Sequence, residues 1–247
     1  MKELQGKIAL VTGVGRKEGI GAAICRKLAT EGADVFFTFW HAYDESLYPD
    51  TKGEVQSMFV EELKQHGVRA ACAEVDLSAA DSAEKLFALV KNELGSPDIL
   101  VNNACYSTRQ SFSEITADLL DKHYQINVRA VLLLCKEFVK NWSKDKGGRI
   151  VNMDSGQSLG VMREELPYTV TKAGLEMLTI QLAPELATRG ITINAINPGP
   201  TDTGWITEDI KKDIGKVNMP SDAADTIFSL LGENAENTTG QVIHAKQ

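Results

Sequence analysis

The chain has 247 residues, 43% of them hydrophobic, which is enough for a sizeable buried core and argues against disorder. Acidic side chains outnumber basic ones 34 to 26 for a formal charge of −8, and no basic run exceeds a dipeptide, so nucleic acid and anionic membrane surfaces are excluded as expected partners. The longest purely apolar run, Ala130 to Cys135, has six residues, against about 20 for a membrane span.

The N-terminal MKELQGK leads into too short an apolar stretch for a secretory leader, so a cytoplasmic protein is expected. The four cysteines, Cys25, Cys72, Cys105 and Cys135, are widely spaced and no histidines cluster near them. They are read as buried reduced thiols, with no metal site.

In chain order, Ile8–Val11 is the first predicted strand, followed by a glycine-rich turn and a helix over Gly19–Glu31, with Ile20, Ile24 and Leu28 on one face. The next strands are Asp34–Phe39, Ala70–Glu74 and Ile99–Val101, with a helix over Ala83–Leu94 between the last two. Two long helices, Ala117–Trp142 and Leu166–Thr188, flank the fifth strand, Arg149–Met153; their apolar stretches predict burial on more than one side, within the subunit or against a second copy. Thr192–Ile196 and Gln241–His244 complete seven strands.

Alternation of short β-branched runs with helical crossovers predicts an α/β protein: a single Rossmann domain over residues 1–247, a doubly wound seven-stranded parallel sheet with helices on both faces. His41–Gly53 and Thr201–Pro220 are the least regular segments. The second follows the sixth strand and is the predicted substrate loop, about residues 201–220.

The turn after the first strand reads Thr12-Gly13-Val14-Gly15-Arg16-Lys17-Glu18-Gly19-Ile20-Gly21. Glycines admit a close backbone approach, and a helix N-terminus offers free N–H groups to a pyrophosphate. Gly13, Gly15, Arg16, Gly19 and Ile20 are therefore candidate dinucleotide-binding residues, joined by Trp40 after the second strand. The segment Phe37-Thr38-Phe39-Trp40-His41 holds no acid for a ribose 2′-hydroxyl, and Arg16 and Lys17 are available for a 2′-phosphate. NADP is the expected cofactor, with NAD as the alternative.

Tyr168 and Lys172, four residues apart, share one helical face. A phenol serving as acid–base near neutral pH needs its pKa lowered by about three units from its ordinary value, and a neighbouring ammonium together with a cationic nicotinamide can supply that. Ser155, just after the fifth strand, is placed to polarise a carbonyl oxygen at the same sheet edge. This combination points to hydride transfer between NAD(P)(H) and a carbonyl or alcohol.

These residues resemble the short-chain dehydrogenase/reductase family, particularly its 3-oxoacyl-acyl-carrier-protein-reductase-like branch, over nearly the whole chain. The matching motifs are the glycine-rich turn, Asp76-Leu77, Asn102-Asn103-Ala104, Asn127-Val128, Ser155, Tyr168 with Lys172, and Asn197-Pro198-Gly199. The resemblance implies a catalytic tetrad of Asn127, Ser155, Tyr168 and Lys172, with Asn127 holding a water that connects Lys172 to solvent. It implies Asp76 at the adenine amino group, with Leu77, Asn103 and Ala104 along the cofactor. Lys172 would also bind the nicotinamide ribose, and Pro198, Gly199, Thr201 and Thr203 would flank the nicotinamide. Gln157 and Trp205, with Leu159, Val161, Met162 and Ile206, are candidate substrate contacts beside Ser155 and Tyr168.

The chain departs from the family pattern in a glycine-rich turn two residues longer than common, in Cys105 where glycine is usual, and in Asp154 where a second serine is common. Its end, Thr239 to Gln247, lacks the Asp-Gly-Gly of many relatives, so a homodimer is favoured over the family's homotetramer. A cofactor-sensing protein without turnover and an enoyl reductase are the competing readings; acyl carrier protein is implied only by the resemblance.

Overall fold

The computed structural model describes residues 2–47, 54–204 and 217–245. Seven parallel strands form one sheet: β1 (Ile8–Val11), β2 (Asp34–Phe39), β3 (Ala70–Glu74), β4 (Ile99–Asn102), β5 (Gly148–Met153), β6 (Ile191–Asn197) and β7 (Val242–His244). Their order is β3-β2-β1-β4-β5-β6-β7. The order reverses direction between β1 and β4, and ligands of open α/β sheets bind at the carboxyl edge of such a switch point.

Alternation along the strands divides the core into two layers. Val11, Val35 and Phe37 face α1 (Ile20–Thr30), α3 (Glu54–Lys64) and α8 (Pro220–Phe228), packing with Ile24, Leu28, Phe59 and Ile227. Leu10, Phe36 and Leu100 face the opposite layer, where α4 (Ser82–Glu93), α6 (Val131–Asn141) and α7 (Leu166–Ala187) contribute Leu86, Leu134, Phe138 and Leu175. The register aligns Leu10 with Phe36 on one side and Leu100 on the other, which keeps each layer continuous.

All seven predicted strands form, with ends differing by a residue at most. The predicted helix over 117–142 is instead three pieces: α5 (Ala117–Tyr124), a π turn (Gln125–Ala130) and α6. His41–Gly53, read as irregular, opens with a helix, α2 (His41–Leu47); residues 48–53 lie outside the described chain. Of the predicted substrate loop, 205–216 lies outside the described residues, and Pro220 already begins α8. No described helix is long and apolar enough to cross a membrane. Only Cys25 and Cys135 are fully buried; Cys72 and Cys105 are half-buried, because β3 lies at the sheet edge and Cys105 lines the cleft described next.

Candidate active site

The ends of β1 and β4 meet with no room for a side chain at Gly13. Gly13 has φ of +73°, a conformation that favours glycine, and a methyl group there would lie 2.5 Å from the Ala104 Cα. The Thr12 hydroxyl accepts the N–H groups of Asn103 and Ala104, both at 3.1 Å. Asn103 returns two bonds through Nδ2, to the carbonyls of Thr12 (2.9 Å) and Gly13 (2.8 Å). A side chain on Gly21 would meet that same amide at 2.8 Å.

From this junction opens a cleft of about 1410 Å³, lined by Gly13, Gly15, Arg16, Gly19 and Ile20 at one wall and by Ser155, Tyr168, Pro198, Gly199, Thr201 and Thr203 at another. Pockets for single small ligands span roughly 300–1,000 Å³, so this one accommodates a dinucleotide with a substrate beside it. Gly19 precedes α1 as its N-cap and offers no side-chain cap, and the first turn holds no acid, leaving the amides to an anion. The cradle, the uncapped helix and the cleft size together fit a dinucleotide.

Trp40, Leu77 and Ala104 line the cleft. Asp76 is exposed and accepts the Ser78 N–H at 2.8 Å, a local turn contact that occupies one carboxylate oxygen. Two contributors missed in the sequence come from α2. Tyr43 stacks on Trp40 with ring centroids 6.2 Å apart, and its hydroxyl accepts the Ser107 N–H at 3.1 Å. Asp44 packs so closely on Gly15 that any side chain there would collide with its carboxylate. Burial raises the Asp44 pKa, and the Arg16 guanidinium opposes that shift. Arg16 donates to the Thr203 carbonyl at 2.6 Å, so it spans the cleft from the glycine-rich turn to the segment after β6. The signal for α2 was weak because 41–53 carries no clear apolar period.

At the other end, β5 delivers Ser155 and the first turns of α7 deliver Tyr168 and Lys172. Ser155 and Tyr168 line the same cleft, and the Ser155 hydroxyl contacts the Met162 sulfur at 3.8 Å. Lys172 is buried, donates to the Met153 carbonyl at 2.5 Å and holds its Nζ 5.6 Å from the centre of the Tyr168 ring.

In this setting burial pushes the Tyr168 phenol above its ordinary range, reinforced by Cys105, Glu165 and Asp154 and opposed by the Ser155 hydrogen bond. A protonated phenol is the form that gives a proton to a carbonyl oxygen.

Asn127 sits in the π turn, fully buried. Its Oδ1 accepts the Tyr106 N–H (2.7 Å), while Nδ2 donates to the Tyr106 carbonyl (2.8 Å) and to Thr171 Oγ1 (3.0 Å). All three bonds go to protein groups, Tyr106 and Thr171. Gln157, expected at the substrate, turns its amide to Asp154 at 2.9 Å because that buried carboxylate requires a donor. Leu159, Val161 and Met162 do line the cleft. Trp205 and Ile206 lie outside the described residues.

A family model for short chain dehydrogenases matches residues 7–214. An uncharacterized oxidoreductase of Bacillus subtilis, YjdA, is 41% identical over 100% of this chain and 98% of its own length. The 3-oxoacyl-[acyl-carrier-protein] reductase FabG of Aquifex aeolicus is 34% identical over 98% of this chain and 96% of its own. Among solved structures, a short chain dehydrogenase of Burkholderia cenocepacia in complex with NADP superposes with a TM-score of 0.88 at 30% identity, over 99% of this chain and 98% of that one. A blue fluorescent protein from a metagenomic library, in complex with NADPH, superposes with the same TM-score at 31% identity, again over 99% of this chain and 98% of that one. The glycine cradle, the cleft and these relatives agree: the chain belongs to the short-chain dehydrogenase/reductase family and is an NAD(P)-dependent oxidoreductase.

Proposed function

We propose that the chain interconverts a ketone and a secondary alcohol, with 3-oxoacyl thioesters as the leading substrate class and NADP(H) as the preferred cofactor. The observation supporting this is that Ser155 and Tyr168 line the same cleft as Gly13, Gly15 and Ile20. When bound, the nicotinamide supplies hydride to the substrate carbon or takes it away. Tyr168 gives its phenolic proton to the carbonyl oxygen, and Ser155 donates a hydrogen bond to the charge developing there. The Lys172 ammonium favours the phenolate left behind. Asn127 holds the loop after β4 in place through Tyr106.

NADP is supported by Arg16 in the cleft, by the lack of an acid directly after β2, and by the NADP and NADPH bound to the two structural neighbours. The thioester class rests on likeness to the Aquifex reductase. NAD is the second reading, favoured by Asp44 against Gly15, whose ionised carboxylate would repel a 2′-phosphate.

Turnover of 3-oxoacyl thioesters, enoyl thioesters and simple ketones, each with both nicotinamides, tests these readings together with Tyr168→Phe. The expected result is ketone reduction at higher kcat/KM with NADPH. In Tyr168→Phe, kcat should fall by about 10²-fold or more, with dinucleotide affinity retained. Undiminished reduction by Tyr168→Phe rejects the mechanism, and a preference for NADH assigns the cofactor choice to Asp44.

We also infer a homodimer. Leu120 on α5, Leu132 on α6 and Val170 and Met177 on α7 are 44–61% exposed, more apolar surface than these helices need to cover the sheet.

A further inference from the structure

In the sheet, β1 stands between β2 and β4, so a segment that leaves β2 and reaches the loop after β4 must cross the end of β1. Helix α2 does this. It begins directly after Trp40 at the end of β2, and its Asp44 carboxylate lies against Gly15 in the turn after β1, leaving no space for a side chain there. The neighbouring Tyr43 continues to the far side. Its hydroxyl accepts the Ser107 N–H at 3.1 Å and donates to the Ser107 carbonyl at 3.4 Å, and its ring centre lies 5.3 Å from that of Tyr106.

The far side is a fixed anchor, because Asn127 holds both the N–H and the carbonyl of Tyr106. Lys122 on α5 adds a second grip. Its Nζ lies 5.7 Å from the centre of the Trp40 ring and 5.3 Å from that of Tyr106, so one ammonium joins an aromatic ring from each side. Gly15, Tyr43, Asp44 and Ser107 all line the cleft. Helix α2 therefore lies across the switch point, where the phosphates of a dinucleotide meet the glycine-rich turn.

We propose that α2 is a strap across the dinucleotide groove, latched by the Tyr43 hydroxyl on Ser107, and that NAD(P)(H) enters and leaves when this latch parts. The proposal rests on the dinucleotide cleft alone, not on the catalytic reading of Tyr168 or on the substrate class. Two neutral hydrogen bonds and an exposed cation–π contact are individually weak, which suits a latch that must open repeatedly. A latch of this kind raises the barrier to entry and to release by the same amount. It slows exchange and leaves affinity almost unchanged.

Tyr43→Phe removes the hydroxyl and keeps the ring beside Trp40 and Tyr106. Stopped-flow fluorescence of NADPH, mixed with the protein to follow entry and chased with excess NADP⁺ to follow release, reads both rates without turnover. In Tyr43→Phe both should rise about five- to tenfold, with Kd within about twofold of the wild-type value. Lys122 is exposed and outside the cleft lining, so Lys122→Gln loosens the strap from beyond the groove. It should raise both rates about two- to fivefold, and it carries the test by itself if Tyr43→Phe does not fold.

Faster release with unchanged entry would make Tyr43 a dinucleotide contact and overturn the latch. Unchanged rates in both variants would overturn it as well. Failure of the wild type to bind either NADPH or NADH would instead remove the dinucleotide site itself, an outcome distinct from altered exchange. Failure of the ketone–alcohol mechanism appears separately, as undiminished activity in Tyr168→Phe.

Discussion

Asn127 illustrates how much a residue in the sequence can say about itself and how little about its partners. An amide inside an apolar helical stretch must be hydrogen-bonded, and that much follows from the cost of burying it alone. Its partner is the Tyr106 peptide, 21 positions away in the loop after β4, and no local pattern encodes that distance. Asn127→Ala strips the Tyr106 N–H and carbonyl of their bonds at once and leaves a small cavity. Urea denaturation should record a loss of about 2–4 kcal/mol. A loss under about 0.5 kcal/mol, the level typical of surface substitutions, would mean that water replaces the amide at both Tyr106 groups.

Tyr168 and Lys172 were legible for the opposite reason, since their spacing of four is itself a helical geometry. What spacing omits is the electrostatic setting. The carboxyls of Asp154 and Glu165 come from different segments, and they push the phenol the same way as burial does.

Among the elements, strands were read almost to the residue because a buried parallel strand is a short apolar run bounded by turn residues. Helix interruptions were harder. The stretch 117–142 keeps an apolar pattern throughout, yet its backbone widens into a π turn at 125–130, where Asn127 reaches the loop after β4. Such a turn alters hydrogen bonding without breaking amphipathic character, so the pattern is blind to it.

Helix α7 carries a different irregularity, Pro184, in its last turn and on its exposed side. Proline has no N–H to give the Ile180 carbonyl and its ring crowds that oxygen. Pro184→Ala should restore the bond and stabilise the protein by about 1–3 kcal/mol. That corresponds to a rise in Tm of roughly 2–4 °C per kcal/mol for a chain of this size. A lower Tm would show that proline's restriction of the unfolded chain outweighs the missing bond.

At the scale of the whole molecule, α7 joins chemistry to assembly. Its buried side holds Lys172, Leu175 and Thr179 against the sheet, with Tyr168 at the cleft, while Leu166, Val170, Met177 and Ile180 stand exposed on the other side. The even apolar character that made this helix look covered all round in the sequence is met inside the subunit on one side only. In the proposed dimer a second copy covers the remainder, and the free energy of that contact must exceed the repulsion between two chains of formal charge −8.

Association should accordingly tighten with added salt, since screening weakens the repulsion and leaves apolar burial intact. The double variant Val170→Glu/Met177→Glu places two charges in the contact without disturbing the core. Sedimentation should find it monomeric at concentrations where the wild type is dimeric, with a native circular dichroism spectrum. Its kcat should fall as well, because α7 loses the support that steadies Tyr168 and Lys172. A variant that remains dimeric would move the interface to another face, and a monomeric variant with full kcat would separate assembly from the chemistry.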